Sequence, residues 1–143
     1  MKHRIACAFL IVVILATSVI PMISAETIMP RLNNTATTST NFTITTAGKA
    51  TVTANYNGYS GITTGATVTS YIEKRTLGLF WSKVDIGEPN NEWVDSSSAY
   101  VDFFAHEIYL EDKGTYRATV VYEISGTGGA TDVIDYEQER TYS

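Results

Sequence analysis

Cysteine, histidine and proline are scarce in this 143-residue chain, which has one, two and three of them respectively. The cysteine is Cys7 and one histidine is His3, so beyond residue 25 no cysteine remains and His106 is the single histidine. That excludes internal disulfides and a thiol nucleophile from the body of the chain. It also excludes the Cys/His ligand sets that hold zinc. Basic residues are few as well. Without Lys2 and Arg4, ten basic residues become 8 against 15 acids, a net charge of −7. An acidic chain of this kind does not suit nucleic acid or anionic membrane surfaces, which attract Lys and Arg. Beyond residue 25, no stretch of ten or more residues shows helical periodicity.

Residues 1–25 read as a segment removed on export. Lys2 and Arg4 give a positive start, Ile5 to Ile20 is an uncharged apolar run, and Pro21-Met22-Ile23-Ser24-Ala25 ends on a small residue. This is the layout of a secretory signal peptide cleaved before Glu26. The apolar run is short for a membrane span of about 20 residues. Cys7 lies early in the run and not behind it, which speaks against a lipid-attachment cysteine. The expected product is secreted, free or held at the cell wall, with no membrane attachment after cleavage. It runs from Glu26 to Ser143, 118 residues, enough for one domain with a real core. Export without disulfides fits a bacterial protein.

The clearest strand is Leu110 to Ile124. Glu111-Asp112-Lys113-Gly114 forms a polar turn, and the chain then alternates. Tyr116, Ala118, Val120, Tyr122 and Ile124 fall on one face; Thr115, Arg117, Thr119, Val121 and Glu123 fall on the other. Period two marks a half-buried strand. Ala50 to Tyr56 alternates in the same way, with Ala50, Val52, Ala54 and Tyr56 apolar. Gly65 to Lys74 places Val68, Ser70 and Ile72 together. In Leu79 to Ile86 the set Phe80, Ser82, Val84 and Ile86 is expected inward, because it carries no charge.

Other stretches are less regular. Residues 26–41 form an extended Thr-rich leader, which reads as a disordered tail, a first edge strand or part of each; the domain proper is expected over 42–143. Phe42 to Thr45 alternates. Glu92 to Ser98 is a short strand or an irregular crossing, with Trp93 at the core edge. Ala99 to Leu110 slips at Phe103-Phe104, through a bulge or through two rings pointing opposite ways. Ser125 to Ala130 is a glycine-rich hairpin loop. Thr131 to Tyr142 is a charged edge strand. The fold class expected is all-β, an antiparallel sandwich of about seven strands without a disulfide.

Asp112-Lys113-Gly114-Thr115-Tyr116 resembles the D-x-G-x-Y element of immunoglobulin-like domains. The resemblance implies a tyrosine corner made by Asp112, Gly114 and Tyr116, the Tyr116 hydroxyl bonding upstream backbone. Ala54 and Ala118 then stand at the family's two cysteine places, small residues across an unbridged core. Ile72 fills the place of the buried tryptophan. Most of residues 31–143 is also similar to a group of small secreted proteins of Gram-positive, gut-type Firmicutes. That similarity rests on Tyr71-Ile72-Glu73-Lys74, Phe80-Trp81-Ser82-Lys83-Val84 and Gly114-Thr115-Tyr116-Arg117, the last followed by a Tyr-rich strand and a Gly-rich hairpin. It carries no activity with it.

No catalytic or metal site is expected, and no cofactor. His106, beside Glu107, reads as a surface or rim histidine, and no G-x-S-x-G elbow is present. Asp132, Asp135, Glu137 and Glu139 read as a solvated edge face, since no calcium-loop pattern joins them. Fifteen acids offer no reason to choose a hydrolytic pair. Aromatic density is the stronger signal. Trp81, Tyr56, Tyr59 and Trp93 are the candidate binding residues, centred on Trp81 or on the Tyr56–Tyr59 loop, because aromatic rings give large contact area at low entropy cost. The function expected is a monomeric, non-catalytic module that binds an extracellular protein or a glycan. The rival is a subunit that assembles by strand exchange through Leu32 to Thr46, and a small hydrolase stands third.

Overall fold

The computed structural model describes residues 32–143; the signal-peptide expectation for 1–25 lies outside the described residues, as do residues 26–31 of the leader. Eight strands form: β1 (Thr35–Ile44), β2 (Lys49–Gly58), β3 (Thr63–Thr76), β4 (Phe80–Lys83), β5 (Trp93–Ser97), β6 (Val101–Tyr109), β7 (Gly114–Gly126) and β8 (Asp132–Tyr142). No α-helix occurs among the described residues; a single 3-10 turn, Pro89–Asn91, precedes β5.

All pairings are antiparallel, and they make two sheets. The first has the order β1-β2-β6. The second has the order β4-β3-β7-β8, and β5 also pairs with β3. β4 takes Glu73–Thr76 and β5 takes Ala66–Ser70, so two short strands share one edge of β3. Between them Val84 donates its N–H to the Ile72 carbonyl at 2.8 Å.

The alternation in the sequence becomes the core. Phe42, Ala50, Val52, Ala54 and Tyr56 from the first sheet meet Val68, Ile72, Tyr116, Ala118, Val120, Tyr122 and Ile124 from the second, all buried. Ala54 and Ala118 therefore lie in the core on opposite sheets, and Ile72 is fully buried. β6 runs from Val101 to Tyr109 without a register shift. Phe103 and Phe104 point opposite ways: Phe104 packs on the core and Phe103 is exposed. No bulge is needed.

The expected boundary at 41/42 falls inside β1, which pairs with β2 from Thr35 to Ile44. Much of the cohesion of this strand is polar. The Thr40 hydroxyl meets the Tyr122 hydroxyl at 2.8 Å, and Tyr122 also bonds the Ser39 carbonyl. Gln138 on β8 accepts from the Phe42 N–H at 2.9 Å and donates to the Thr40 carbonyl at 3.0 Å.

The start of β1 is held most firmly. Asp132 accepts from the N–H groups of Asn33 (2.8 Å) and Asn34 (2.7 Å) and from the Thr35 hydroxyl (2.9 Å). Asn34 is fully buried; its side chain donates to the Ala130 carbonyl at 2.9 Å and accepts from the Gly128 N–H at 3.1 Å. The glycine-rich hairpin is thus wrapped around Asn34. Asp132 is not part of a solvated acidic face, as its sequence neighbours suggested. It is 5% exposed and acts as a clamp; Asp135, Glu137 and Glu139 do stay exposed or half-exposed on β8.

Candidate binding surface

The β3–β4 hairpin is where local structure and burial part company. Its turn is Thr76-Leu77-Gly78-Leu79, closed by the Leu79 N–H to the Thr76 carbonyl at 3.2 Å. Leu77 and Gly78 both take positive φ, 52° and 69°. Two such residues make a turn that matches strand twist, and Asn or Gly normally occupies the first place. Leucine there carries a Cβ clash worth about 1–2 kcal/mol. Burial does not repay it, because Leu77 is 85% exposed. Leu79 and Phe80 beside it are 77% and 63% exposed. Three large apolar side chains thus stand together in water at one hairpin tip.

Phe80 and Ser82 pair with Thr76 and Lys74, which places them on the core side of the sheet. They lie beyond the end of the core, however, and both are exposed; of the set expected inward, Val84 packs on the core. Alternation fixed the side correctly but not the depth.

Trp81 and Lys83 lie opposite Arg75 and Glu73, on the outer face of the second sheet. Trp81 is not a free ring. The Arg117 guanidinium lies over it at 4.5 Å and that of Arg75 at 5.6 Å. Arg117 is fixed in turn by Glu73, at 2.6 and 3.0 Å, and by Glu137 at 3.3 Å. Lys83 sits over Tyr71 at 4.4 Å and pairs with Glu92. The face is a ladder of rings and charges that already satisfy one another. A sugar stacking on the covered face of Trp81 has to displace a guanidinium.

The other expected aromatics are dispersed. Tyr56 is buried, 1% exposed, and donates its hydroxyl to the Ala99 carbonyl at 2.7 Å. It is a core residue and not a partner of Tyr59, which is 42% exposed in the β2–β3 loop. The Tyr56–Tyr59 centre is therefore corrected. Trp93 stacks on His106, centroids 4.8 Å apart and planes 3° apart, and the His106 Nε2 meets the Asp95 carboxylate at 2.7 Å. Trp93 and Asp95 stand on β5 and His106 on β6, so the cluster ties the two sheets at their open edge.

Tyr116 is 2% exposed, and its hydroxyl donates to the Asp112 carbonyl at 2.5 Å. Asp112 itself pairs with Lys74 at 2.7 Å. Gly114 begins β7 at φ 151°. Burial pushes the Tyr116 phenol up, with the Lys74 ammonium opposing. A cleft of about 480 Å³ opens beside this corner, lined by Lys74, Asp85, Ile108, Glu111 and Asp112 among others.

No group of three or more His, Cys, Asp or Glu side chains is placed to hold a metal ion among the described residues. The leader segment expected to exchange, Leu32 to Thr46, is occupied from Thr35 onward in its own sheet. No protein family, curated protein or solved structure matches the chain.

Sequence reasoning missed the Leu77-Leu79-Phe80 tip. A signal was present: Leu-Gly-Leu in a turn that normally takes polar residues.

Proposed function

We propose that this chain is a secreted, non-catalytic binding module of immunoglobulin-like build, and that its contact surface is the tip of the β3–β4 hairpin. The observation that carries the reading is Leu77. The hairpin turn needs its positive φ, but leucine is an unfavourable residue for it, and the exposed apolar side chain gains the fold nothing. Residues that break a local rule without a structural gain gather at functional sites. Leu79 and Phe80 extend the patch, and exposed apolar clusters mark interaction sites.

The partner that suits this tip is an extracellular protein with an apolar pocket. A glycan at Trp81 is the weaker reading, because Arg117 and Arg75 cover that ring. The immunoglobulin-like build is supported by strand order. β1-β2-β6 against β4-β3-β7-β8 matches an A-B-E sheet against C, F and G with two added strands, β4 and β5, on the edge of β3. The Tyr116 bond to upstream backbone supports it too. The absence of catalysis is supported by His106, whose ring is committed to Trp93 and Asp95. Secretion rests on the pattern of residues 1–25.

The test is capture from a panel of purified extracellular proteins, mucin, peptidoglycan and glycans, with Phe80→Ser and Trp81→Ala in parallel. Binding of a protein that Phe80→Ser abolishes supports the reading. Binding of a glycan that only Trp81→Ala abolishes moves the site to the sheet face.

A further inference from the structure

The cleft beside the tyrosine corner lies on the inner face of the β3–β4 hairpin, where the hairpin runs past the end of the core. Lys74 pairs with Tyr116 across the sheet and with Ser82 across the hairpin, and Thr76 pairs with Phe80. These side chains therefore share the face to which Tyr116 points. The opposite wall is the β6–β7 turn, with Glu111 and Asp112. Between the walls the lining is apolar: Leu110 and Tyr116 are buried, and Val84 and Ile108 pack on the core. A volume of about 480 Å³ is in the range of ligand sites.

Five charged residues line this cleft: Lys74, Lys83, Asp85, Glu111 and Asp112. Lys74 is paired with Asp112 at 2.7 Å. Lys83 turns to the outer face, where Glu92 and the Tyr71 ring hold its ammonium. Two acids remain. Neither Asp85 nor Glu111 is in an ion pair among the described residues. Asp85 accepts the Gly87 N–H at 3.0 Å, and both acids are exposed.

An apolar lining with two uncompensated negative charges selects its ligand. An anion is repelled. A neutral polar group leaves both charges unpaired. An apolar side chain suits the lining but dries the carboxylates without a counter-charge, which costs free energy. A long basic side chain meets both demands, because its methylene stem packs on apolar groups while its head stays with water and acids. Charge-assisted bonds from such a head to a carboxylate are the strong kind. The excess of 15 acidic over 8 basic residues beyond residue 25 favours its approach.

We infer that the cleft seats an arginine or lysine side chain of the protein partner, with its stem on Val84, Ile108, Leu110 and Tyr116 and its cation at Asp85 and Glu111. The inference rests on the hairpin tip as the contact surface for a protein. Tip and cleft are continuous. Thr76 and Ser82 line the cleft, Leu77 follows Thr76 directly, and Phe80 shares the face of Ser82. A partner seated on the tip reaches the cleft with a residue beside its own apolar contact.

Titration of the purified protein with Nα-acetyl-L-arginine amide, followed by NMR of the backbone amides at fixed ionic strength, tests this and needs no identified partner. Nα-acetyl-L-citrulline amide is the control, since it keeps the stem and the donors and lacks the charge. The arginine probe should give saturable shifts in residues 82–85 and 108–112. The citrulline probe should bind at least about fivefold more weakly, and so should the arginine probe to the double variant Asp85→Asn/Glu111→Gln, as expected for two partly exposed ion pairs. Asparagine keeps an oxygen for the Gly87 N–H, so the loop stays closed in that variant. Equal binding of the two probes, shifts that survive the double substitution, or shifts confined to the acids of β8 overturn the proposal. Phe80→Ser should leave the titration unchanged, because Phe80 is outside the cleft lining. No shift at the cleft, while Phe80→Ser still abolishes protein capture, overturns the cleft and keeps the tip. A saturable cleft in a protein whose capture ignores Phe80→Ser overturns the tip, and with it the assignment of the cation to that partner.

Discussion

Asp132 holds the backbone N–H of Asn34 at 2.7 Å across a sequence separation of 98 residues. It fastens the first described turn of chain to the last strand. Burial pushes the Asp132 carboxyl up, but bonds from the Asn33 and Asn34 N–H groups and from Thr35 outweigh it and hold it below its ordinary range. A carboxyl lowered on folding stabilises above its unfolded value, about pH 4. That contribution is lost as pH falls through the folded value. Urea unfolding of the wild type should therefore weaken in acid more than that of Asp132→Asn. At neutral pH Asp132→Asn should cost about 2–3 kcal/mol, since charged hydrogen bonds to buried donors are lost. Equal acid sensitivity of the two proteins would remove the clamp from the explanation.

The hairpin that follows β7 predicts a steric effect. A Cβ on Gly126 would lie 2.5 Å from the Asn34 Oδ1 and closer still to the Ile62 carbonyl. The φ of Gly126 is ordinary, so the demand is for space and not for conformation. Gly126→Ala should destabilise by about 1–3 kcal/mol, the range for overpacking. Thermal unfolding checks this, and a neutral result would show that both the Ile62 carbonyl and the Asn34 side chain can move aside freely.

Tyr116 separates packing from hydrogen bonding. Tyr116→Phe keeps the buried ring and loses the bond to the Asp112 carbonyl, for about 1 kcal/mol. Tyr116→Ala also empties the site and should cost about 3 kcal/mol or more. Denaturant midpoints for the pair give both terms. If Tyr116→Phe costs as much as Tyr116→Ala, the hydroxyl bond dominates the corner; if Tyr116→Ala costs under about 1 kcal/mol, the corner is not structural.

Much of the fold was legible because alternation carries it. The inward residues of β2 and β7 are the ones that period two selects, and Tyr56 belongs to that set. Placing Tyr56 on a binding loop ignored its own alternation, and the structure follows the alternation. β1 was hard to read because its cohesion comes from hydroxyl and amide bonds to Tyr122, Gln138 and Asp132. A Thr-rich sequence looks the same whether those bonds form or not. Asp132 was misread for a related reason: its partners lie about a hundred residues away, and its near neighbours are exposed acids. The Trp93–His106–Asp95 cluster spans two strands of different sheets, which no local pattern reveals. The exposed hairpin tip is not legible from aromatic density, because its residues are chiefly leucines in a turn.

The measurement that goes most directly to the hairpin tip is Leu77→Asn, followed for both stability and capture of the partner found in the panel. Asparagine suits the positive φ that leucine holds at 52°, so the unfolding free energy should rise by about 1 kcal/mol. Capture should fall, because an apolar contact is gone. A more stable protein that binds less is the expected result. Unchanged capture with raised stability would contradict the tip as the contact surface, and leave Leu77 as strain without a use.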